Sequence, residues 1–461
     1  MLVGPDYQPP ETRVPDAWQY ELTRGLYEGE ADLRTWWTVL DDPMLDSLIE
    51  RAAAGNLDLK EAVARLAQAR AQLGIAAGEQ LPTVDGIGQA ETSRISKEVS
   101  EFTSPPQDRD DTFYTAGLDA TWEIDFWGRI RRNVESADAN LGASIEDYRD
   151  TLVVLYSEVA AAYVEVRTLQ ARVESALGNV KTQQGALQLT RERNRAGLAP
   201  DLDVRQAQLN LASTEAFVPL LRQELASTIN SLATLIGEFP STLHAELDEP
   251  APIPGTPDET AIGQPAELLR QRPDIRQAER ELAAQTAQIG VATAALYPQF
   301  TLSGAFAFES FSMGDLFTND AAAYSFGPAF RWNIFDGGRI RSNINVQDAL
   351  AQQLLARYEQ TVLSAVEDVE TSMALYEEEK ERRDALARSV KAAQESVRLV
   401  DTLYRTGLTD FQNVLDTQRS QFEQEDSLEE SEGLVTRYLI RIYRALGGGW
   451  QPEADEPPAT T

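Results

Sequence analysis

Apolar residues recur at alternating steps of three and four along most of the chain, which is the spacing of one face of an α-helix. One such series consists of Leu386, Val390, Ala393, Val397, Val400 and Tyr404. A series of this kind packs as a coiled-coil-like seam. The pattern predicts helices near 56–80, 130–194 and 201–237, and again near 274–297, 339–406 and 410–446.

Four segments between these helices alternate with a period of two, which is the spacing of a β-strand. They cover residues 83–93, 114–124, 300–310 and 324–334, and we expect them to pair as hairpins. In the last segment one apolar face carries Tyr324, Phe326, Pro328, Phe330, Trp332 and Ile334. The strands fit either a half-buried sheet in a soluble α+β domain or a membrane β-barrel, whose strands have about 9–11 residues. Because a closed barrel needs about eight strands, four strands in a membrane would require other copies of the chain to complete it.

The two halves of the chain repeat each other. Residues 127–131 (WGRIR) match 337–341 (GGRIR), and Arg195–Leu198 (RAGL) matches Arg405–Leu408 (RTGL) at the same offset. Matches in the same order over both halves indicate an internal duplication. A helix of about 65 residues spans roughly 97 Å, so each half reads as a rod in which one long helix lies beside two shorter coaxial ones.

Proline-rich and acidic stretches separate the repeats. We predict an extended arm or belt over residues 1–40, repeat 1 over 41–240 and a Pro-rich belt linker over 241–265. Repeat 2 then covers 266–446, and an irregular tail covers 447–461. The strand hairpins fall near 83–125 and 299–335.

The amino-acid composition argues against several classes of function. The formal charge is −33, from 41 Lys+Arg and 74 Asp+Glu, which argues against a nucleic-acid partner. The chain has no cysteine and one histidine, His244, which we interpret as structural or solvent-exposed. No cofactor or metal site is expected. A di-metal carboxylate bundle uses Glu-x-x-His pairs, and a single histidine cannot supply them. Phosphate loops and nucleophile elbows are also missing from the sequence, so we do not expect an enzyme. The sequence contains no run of about 18 apolar residues, which is the length that would predict a transmembrane helix.

Several motifs together make the sequence similar to the outer-membrane efflux channel (outer membrane factor) family, TolC-like and especially OprM-like. They are Asp125–Arg132 (DFWGRIRR), Arg272–Ile275 (RPDI), Phe335–Ile340 (FDGGRI), Val414–Arg419 (VLDTQR) and Leu446–Trp450 (LGGGW). The resemblance covers nearly the whole chain. It implies a mainly α protomer that gives four strands to a shared, trimeric 12-stranded barrel in the bacterial outer membrane, with an α-helical periplasmic tunnel and a mixed equatorial belt.

The resemblance also implies function and partners. Members of the family form homotrimers in outer-membrane lipid and act as passive exit ducts for drugs or other small solutes. A periplasmic adaptor protein and an inner-membrane RND transporter deliver the cargo. A type I secretion duct is a related alternative, and a soluble coiled-coil scaffold is one of a different class.

The first residues depart from the OprM-like pattern. Val3–Tyr7 (VGPDY) matches the start of mature members, but Met1-Leu2 stands where they carry a lipidated Cys. We interpret this start as one from which the signal peptide and anchor have been removed, the alternative being a genuine start. With Leu at the lipidation position, we expect no acylation.

The helix-to-helix turns carry the first group of candidate residues. A Gly after a helix suits a left-handed turn, and the resemblance implies that the adaptor docks at these tips. The docking candidates are Arg195, Gly197, Leu198, Arg405, Gly407 and Leu408.

The second group is a periplasmic gate. Asp416 and Arg419 are spaced i, i+3 on one helix face, and on sequence alone they read as an exposed ion pair worth well under 1 kcal/mol. The resemblance implies instead a constriction in which three copies of Asp416 form an acidic ring and Arg419 bridges to a neighbouring chain. Asn413 replaces a second acid found in some members, while Tyr404 and Asp203 match a pair that ties the helix hairpins together in the closed state. Asp416→Ala, or Tyr404→Phe with Arg419→Ala, is predicted to raise the conductance.

The acidic charge has two interpretations. In a trimer it amounts to about −99, three times the chain value, and in a water-filled tunnel it would favour cations. Adaptation of the source organism to salt is the competing cause.

Overall fold

The computed structural model describes residues 1–12, 14–20, 23, 25–29, 33–94, 96 and 110–450. The predicted tail therefore lies outside the described residues from position 451 onward. The helices are α1 Pro43–Gly55, α2 Leu57–Gly78, α3 Arg129–Arg195, α4 Asp201–Leu235, α5 Pro240–Glu246, α6 Pro265–Gln271, α7 Pro273–Ala294, α8 Arg339–Thr406 and α9 Phe411–Ala445. The strands are β1 Leu26–Glu28, β2 Thr83–Arg94, β3 Asp110–Ile124, β4 Thr260–Ile262, β5 Gln299–Ser310 and β6 Ala322–Arg331. The prediction of a mainly helical chain with four long strands is confirmed.

The chain divides into two compact units, each built from segments of both sequence repeats. The first comprises Met1–Glu11, Arg65–Ser144 and Gln277–Tyr358. The second comprises Thr12–Ala64, Ile145–Arg276 and Glu359–Thr461.

The first unit contains a four-stranded antiparallel sheet in the order β2-β3-β5-β6. Its register opposes Gly86 to Leu118, Leu118 to Phe306 and Phe306 to Tyr324, so the predicted apolar faces lie on one side of the sheet. That face is uncovered in this chain, since Tyr324 is 83% exposed and Phe326 80% exposed. Within the described residues, β2 and β6 each pair on one side only, which leaves two open edges.

The predicted strand 324–334 is displaced from the observed one. Strand β6 ends at Arg331, because Arg331 opposes Gln299, the first residue of β5. Trp332 lies beyond the last pair, and its indole Nε1 donates to the Leu296 carbonyl at 3.0 Å. The alternation of apolar and polar residues in the sequence therefore extends beyond the last hydrogen-bonded pair of strands β5 and β6.

The repeated Gly-Arg-Ile step marks the start of each long helix. The Asp125 carboxylate accepts from the backbone N–H of Ile130 at 3.2 Å and of Arg131 at 3.0 Å. The Asp336 carboxylate accepts from the N–H of Ile340 at 2.7 Å. Carboxylates at this position satisfy amides that have no partner within the helix.

The core of the second unit joins the helices to the linker. Trp36 is buried and stacks on Tyr443 with 5.3 Å between ring centroids. The buried Arg167 donates to the Tyr163 hydroxyl at 3.0 Å and to the Glu249 carbonyl at 3.1 Å, while Thr436 Oγ1 donates to the Pro254 carbonyl at 2.9 Å. The linker also contains α5 and β4, and β4 pairs in parallel with β1.

Among the described residues, no helix has both the length and the hydropathy that a membrane-crossing helix requires.

Candidate functional site

The two helix turns are built alike in the second unit. We call α3, its turn and α4 the first hairpin, and α8, its turn and α9 the second hairpin. Gly197 and Gly407 have φ of 73° and 77°, a left-handed conformation that costs glycine little. The amide of Leu198 donates to the Arg193 carbonyl at 2.8 Å, and that of Leu408 donates to the Leu403 carbonyl at 2.9 Å. With the i+3 bonds from the two glycine amides, this is the Schellman pattern of helix ends.

The docking candidates lie on the outside of these turns. Leu198 is 68% exposed and Leu408 is 75% exposed. Arg195 is exposed, and Arg405 forms an ion pair with Asp401 one helical turn earlier, at 2.8 Å. Each tip thus presents one apolar side chain and one arginine.

A small apolar core lies beneath the turns and joins the hairpins. Its buried members are Leu187, Val204, Ala207, Val400, Tyr404, Phe411, Val414 and Leu415. Tyr404 is 4% exposed, and its ring lies 5.3 Å from that of Phe411. The ring of Tyr404 therefore belongs to the packing between the hairpins.

The Tyr404–Asp203 pair does not form a hydrogen bond. The buried Tyr404 hydroxyl makes no hydrogen bond of good geometry within the described chain, and its polar neighbour is the Thr190 side chain of α3. Burial raises the pKa of Tyr404. Burial and the nearby charge of Asp410 also raise the pKa of Asp203. The positive charge of Arg193 lowers this pKa in part. The structure thus brings both predicted residues to one region but links them through charge and packing.

The predicted gate residues Asp416 and Arg419 do not pair with each other within the described chain. Asp416 is exposed, and its Oδ1 accepts from Gln412 Nε2 at 2.9 Å. Arg419 Nε donates to Asn210 Oδ1 at 2.9 Å, which connects α9 to α4 and so joins the two hairpins. The exposed ion-pair interpretation is therefore not what the structure shows.

Arg193 is a residue of this site that sequence reasoning missed. Its Nη1 donates to the Tyr404 carbonyl at 2.6 Å and to the Arg405 carbonyl at 3.2 Å. Its Cζ lies 4.6 Å from the centroid of the Tyr404 ring. An arginine near a helix end was visible in the sequence, but nothing there indicated that it reaches the other hairpin.

A second cluster of polar groups in the second unit surrounds a cavity. A cavity of about 460 Å³ is lined by Asp150, Arg272 and Asp274 among others. Burial and the charge of Asp274 raise the pKa of Asp150 to about 6. Arg272 and Asp274 form an ion pair at 2.7 Å. Across the described residues, no group of His, Cys, Asp and Glu side chains is arranged to hold a metal ion.

His244 is half-buried and lies on a short helix that the sequence analysis did not predict. It lies on α5, and its Nε2 is 2.9 Å from Asn230 Oδ1 of α4. This contact ties the start of the linker to the first hairpin.

Known proteins match both the sequence and the fold. The outer membrane efflux protein family matches residues 48–238 and 265–448, once in each repeat. The pyoverdine export outer membrane protein OpmQ of Pseudomonas aeruginosa is 34% identical, with 95% of this chain and 92% of that protein covered. Nodulation protein T of Rhizobium leguminosarum bv. trifolii is 30% identical, with 98% and 95% covered.

A solved structure extends the match to three dimensions. The outer-membrane channel OprN is 38% identical and superposes with a TM-score of 0.90, covering 98% of this chain and 100% of that one. Family, relatives and fold agree over both repeats. The chain belongs to the outer membrane efflux protein family, as an exit duct of the outer membrane that extends into the periplasm and not as an enzyme.

Proposed function

We propose that three copies of this chain form one duct, whose membrane part is a barrel made from three four-stranded sheets. The observation that carries this proposal is the sheet of the first unit, which has two open edges and an uncovered apolar face. Open edges leave backbone groups unpaired, which is costly in lipid, and copies joined edge to edge would satisfy them. Three sheets of four strands give a closed barrel of 12 strands, within the size range of membrane barrels.

The assembly itself is the test. The purified chain is expected to require detergent, to have the mass of three protomers by light scattering, and to form pores in planar lipid bilayers. A monomer that stays in solution without detergent and forms no pores would instead support the soluble scaffold.

Closure of this duct is proposed to reside at the helix turns. Asp416 would form the acidic ring around the axis, and Arg419, Tyr404 and Asp203 would hold the hairpins in the closed arrangement. The Arg419–Asn210 bond and the buried Tyr404 ring support this role, since both join the first hairpin to the second.

The tips are proposed to receive a periplasmic adaptor, which connects the duct to an inner-membrane transporter of the RND type. The carried solutes would be small molecules. The exposure of Leu198 and Leu408 supports docking. Both side chains are apolar and lie outside the core of this chain, so a partner protein could bury them.

A photo-crosslinking residue at position 198 or 408 is expected to capture the adaptor in cells that express the complete pump. Position 220 on α4 is a matched control, since Leu220 is also an exposed leucine but lies away from the turns. Adaptor capture at 220, without capture at 198 and 408, would place the docking surface on the sides of the helices.

A further inference from the structure

Arg193 crosses from the first hairpin to the end of α8 in the second. The Tyr404 and Arg405 carbonyls that it reaches belong to the last turn of α8, where helix carbonyls have no i+4 amide to accept from. The Tyr404 carbonyl also accepts from the Gly407 amide of the turn at 3.0 Å. A cation at a helix C-terminus is favoured by these groups and by the helix dipole. One side chain of the first hairpin therefore completes the helix end of the second.

The same guanidinium also covers the Tyr404 ring at 4.6 Å from its centroid. A cation over an aromatic face is attracted by the ring, and more strongly where water is excluded. Arg193 Nε is buried and has no hydrogen-bond partner in the described chain. The side chain is thus half-buried between the hairpins.

The duplication shows that this contact is built in one direction only. At the repeat offset, Leu403 takes the place of Arg193, and Asn194 takes the place of Tyr404. Asn194 Nδ2 donates to the Ala199 carbonyl of its own turn at 2.8 Å, so it stays within its hairpin. The first hairpin supplies the cation and the second supplies the ring and the carbonyls.

We propose that Arg193 is the positioning residue that holds the tip of the second hairpin against the first and so keeps the duct closed. This inference rests on the proposed closure at the helix turns. Opening that moves α8 away from α3 breaks two hydrogen bonds to a charged group and uncovers the Tyr404 ring in every protomer.

The test is the conductance of the reconstituted trimer in planar bilayers. Arg193→Ala is expected to raise the open fraction about tenfold or more, since hydrogen bonds to charged groups are among the strong ones. Arg193→Lys retains the charge but not the planar fork, and an intermediate increase is expected. Arg191→Ala removes the same charge from an exposed position of α3 and is expected to leave the conductance unchanged.

The outcomes separate this inference from the proposed gate. If Arg419→Ala raises the conductance and Arg193→Ala does not, the gate stands and the role of Arg193 is wrong. If neither does, closure at the turns is itself wrong. An equal increase from Arg191→Ala would assign the effect to lost charge and overturn the inference. Should Arg193→Ala not assemble, the Lys variant gives the same comparison in a chain that keeps the cation.

Discussion

Alanine at both Asp416 and Arg419 is expected to raise the conductance of the duct at least about tenfold, because one contact between the hairpins and the proposed ring of charge are lost together. Removing Arg419 breaks its 2.9 Å bond to Asn210, which ties α9 to α4. Asn210 is buried, and its Nδ2 already has no hydrogen-bond partner in the described chain. Without Arg419 the side-chain Oδ1 of Asn210 loses this donor as well, so desolvation of the Asn210 amide destabilises the closed arrangement.

Asp416 acts by a different route. It is exposed and bonded to Gln412 on its own helix, so within one protomer its removal breaks no contact between hairpins. Its expected effect comes from the proposed ring of three carboxylates around one axis, where alanine would widen the constriction and remove its charge. Asp416→Ala alone should therefore raise conductance and lower cation preference, whereas Arg419→Ala alone should act mainly on the open fraction.

Single-channel recordings of the two single variants and the double variant measure both effects. Glu192→Ala and Arg205→Ala are matched controls, since both are exposed charges on the first hairpin and neither contacts the second in the described chain. Conductance equal to that of the parent in all three gate variants would remove these residues from the gate.

Tyr404→Phe sharpens the comparison. The hydroxyl makes no hydrogen bond of good geometry, while the ring packs in the apolar core beneath the turns and under Arg193. The Phe change alone should therefore have little effect, and the increase predicted for its combination with Arg419→Ala should come from Arg419. The resemblance implies that Tyr404 belongs to the closure, and its packing indicates that the ring contributes more than the hydroxyl.

Periodicity predicted the long helices and the four long strands, because the period of each element is set by local backbone geometry, but it did not predict the short elements α1, α5, α6, β1 and β4. The long helices begin and end within a residue of their predicted bounds, and the alternating faces of residues 114–124 and 300–310 share one side of the sheet. The same reasoning could not find the contacts between hairpins. Arg193 and Tyr404 are 211 positions apart, and Arg419 and Asn210 are 209 apart. Both contacts depend on how the two hairpins pack against each other. The equivalent positions of the other repeat do not make the same contacts, so the duplication could not reveal them.

Leucine at Gly433 is expected to abolish the folded trimer. Gly433 is buried in α9 against α3, and a Cβ there would lie 2.0 Å from Thr168 Oγ1, 2.8 Å from its Cγ2 and 2.9 Å from its Cβ. Rotating the Thr168 side chain cannot relieve all three contacts, because the Thr168 Cβ is fixed by the backbone of α3. Alanine already forces the two helices apart, a change that typically costs about 1–3 kcal/mol or more in a well-packed core. A leucine adds a full side chain to the same gap.

The yield of trimer in the outer membrane and its melting temperature measure this effect. Gly185→Ala is the control on α3, since a Cβ there meets nothing within 4 Å in this chain, and alanine favours a helix over glycine. Thr168→Gly should partly restore assembly of Gly433→Ala, because it removes the opposing side chain. Normal assembly of Gly433→Leu would mean that α3 and α9 do not pack as closely in the trimer.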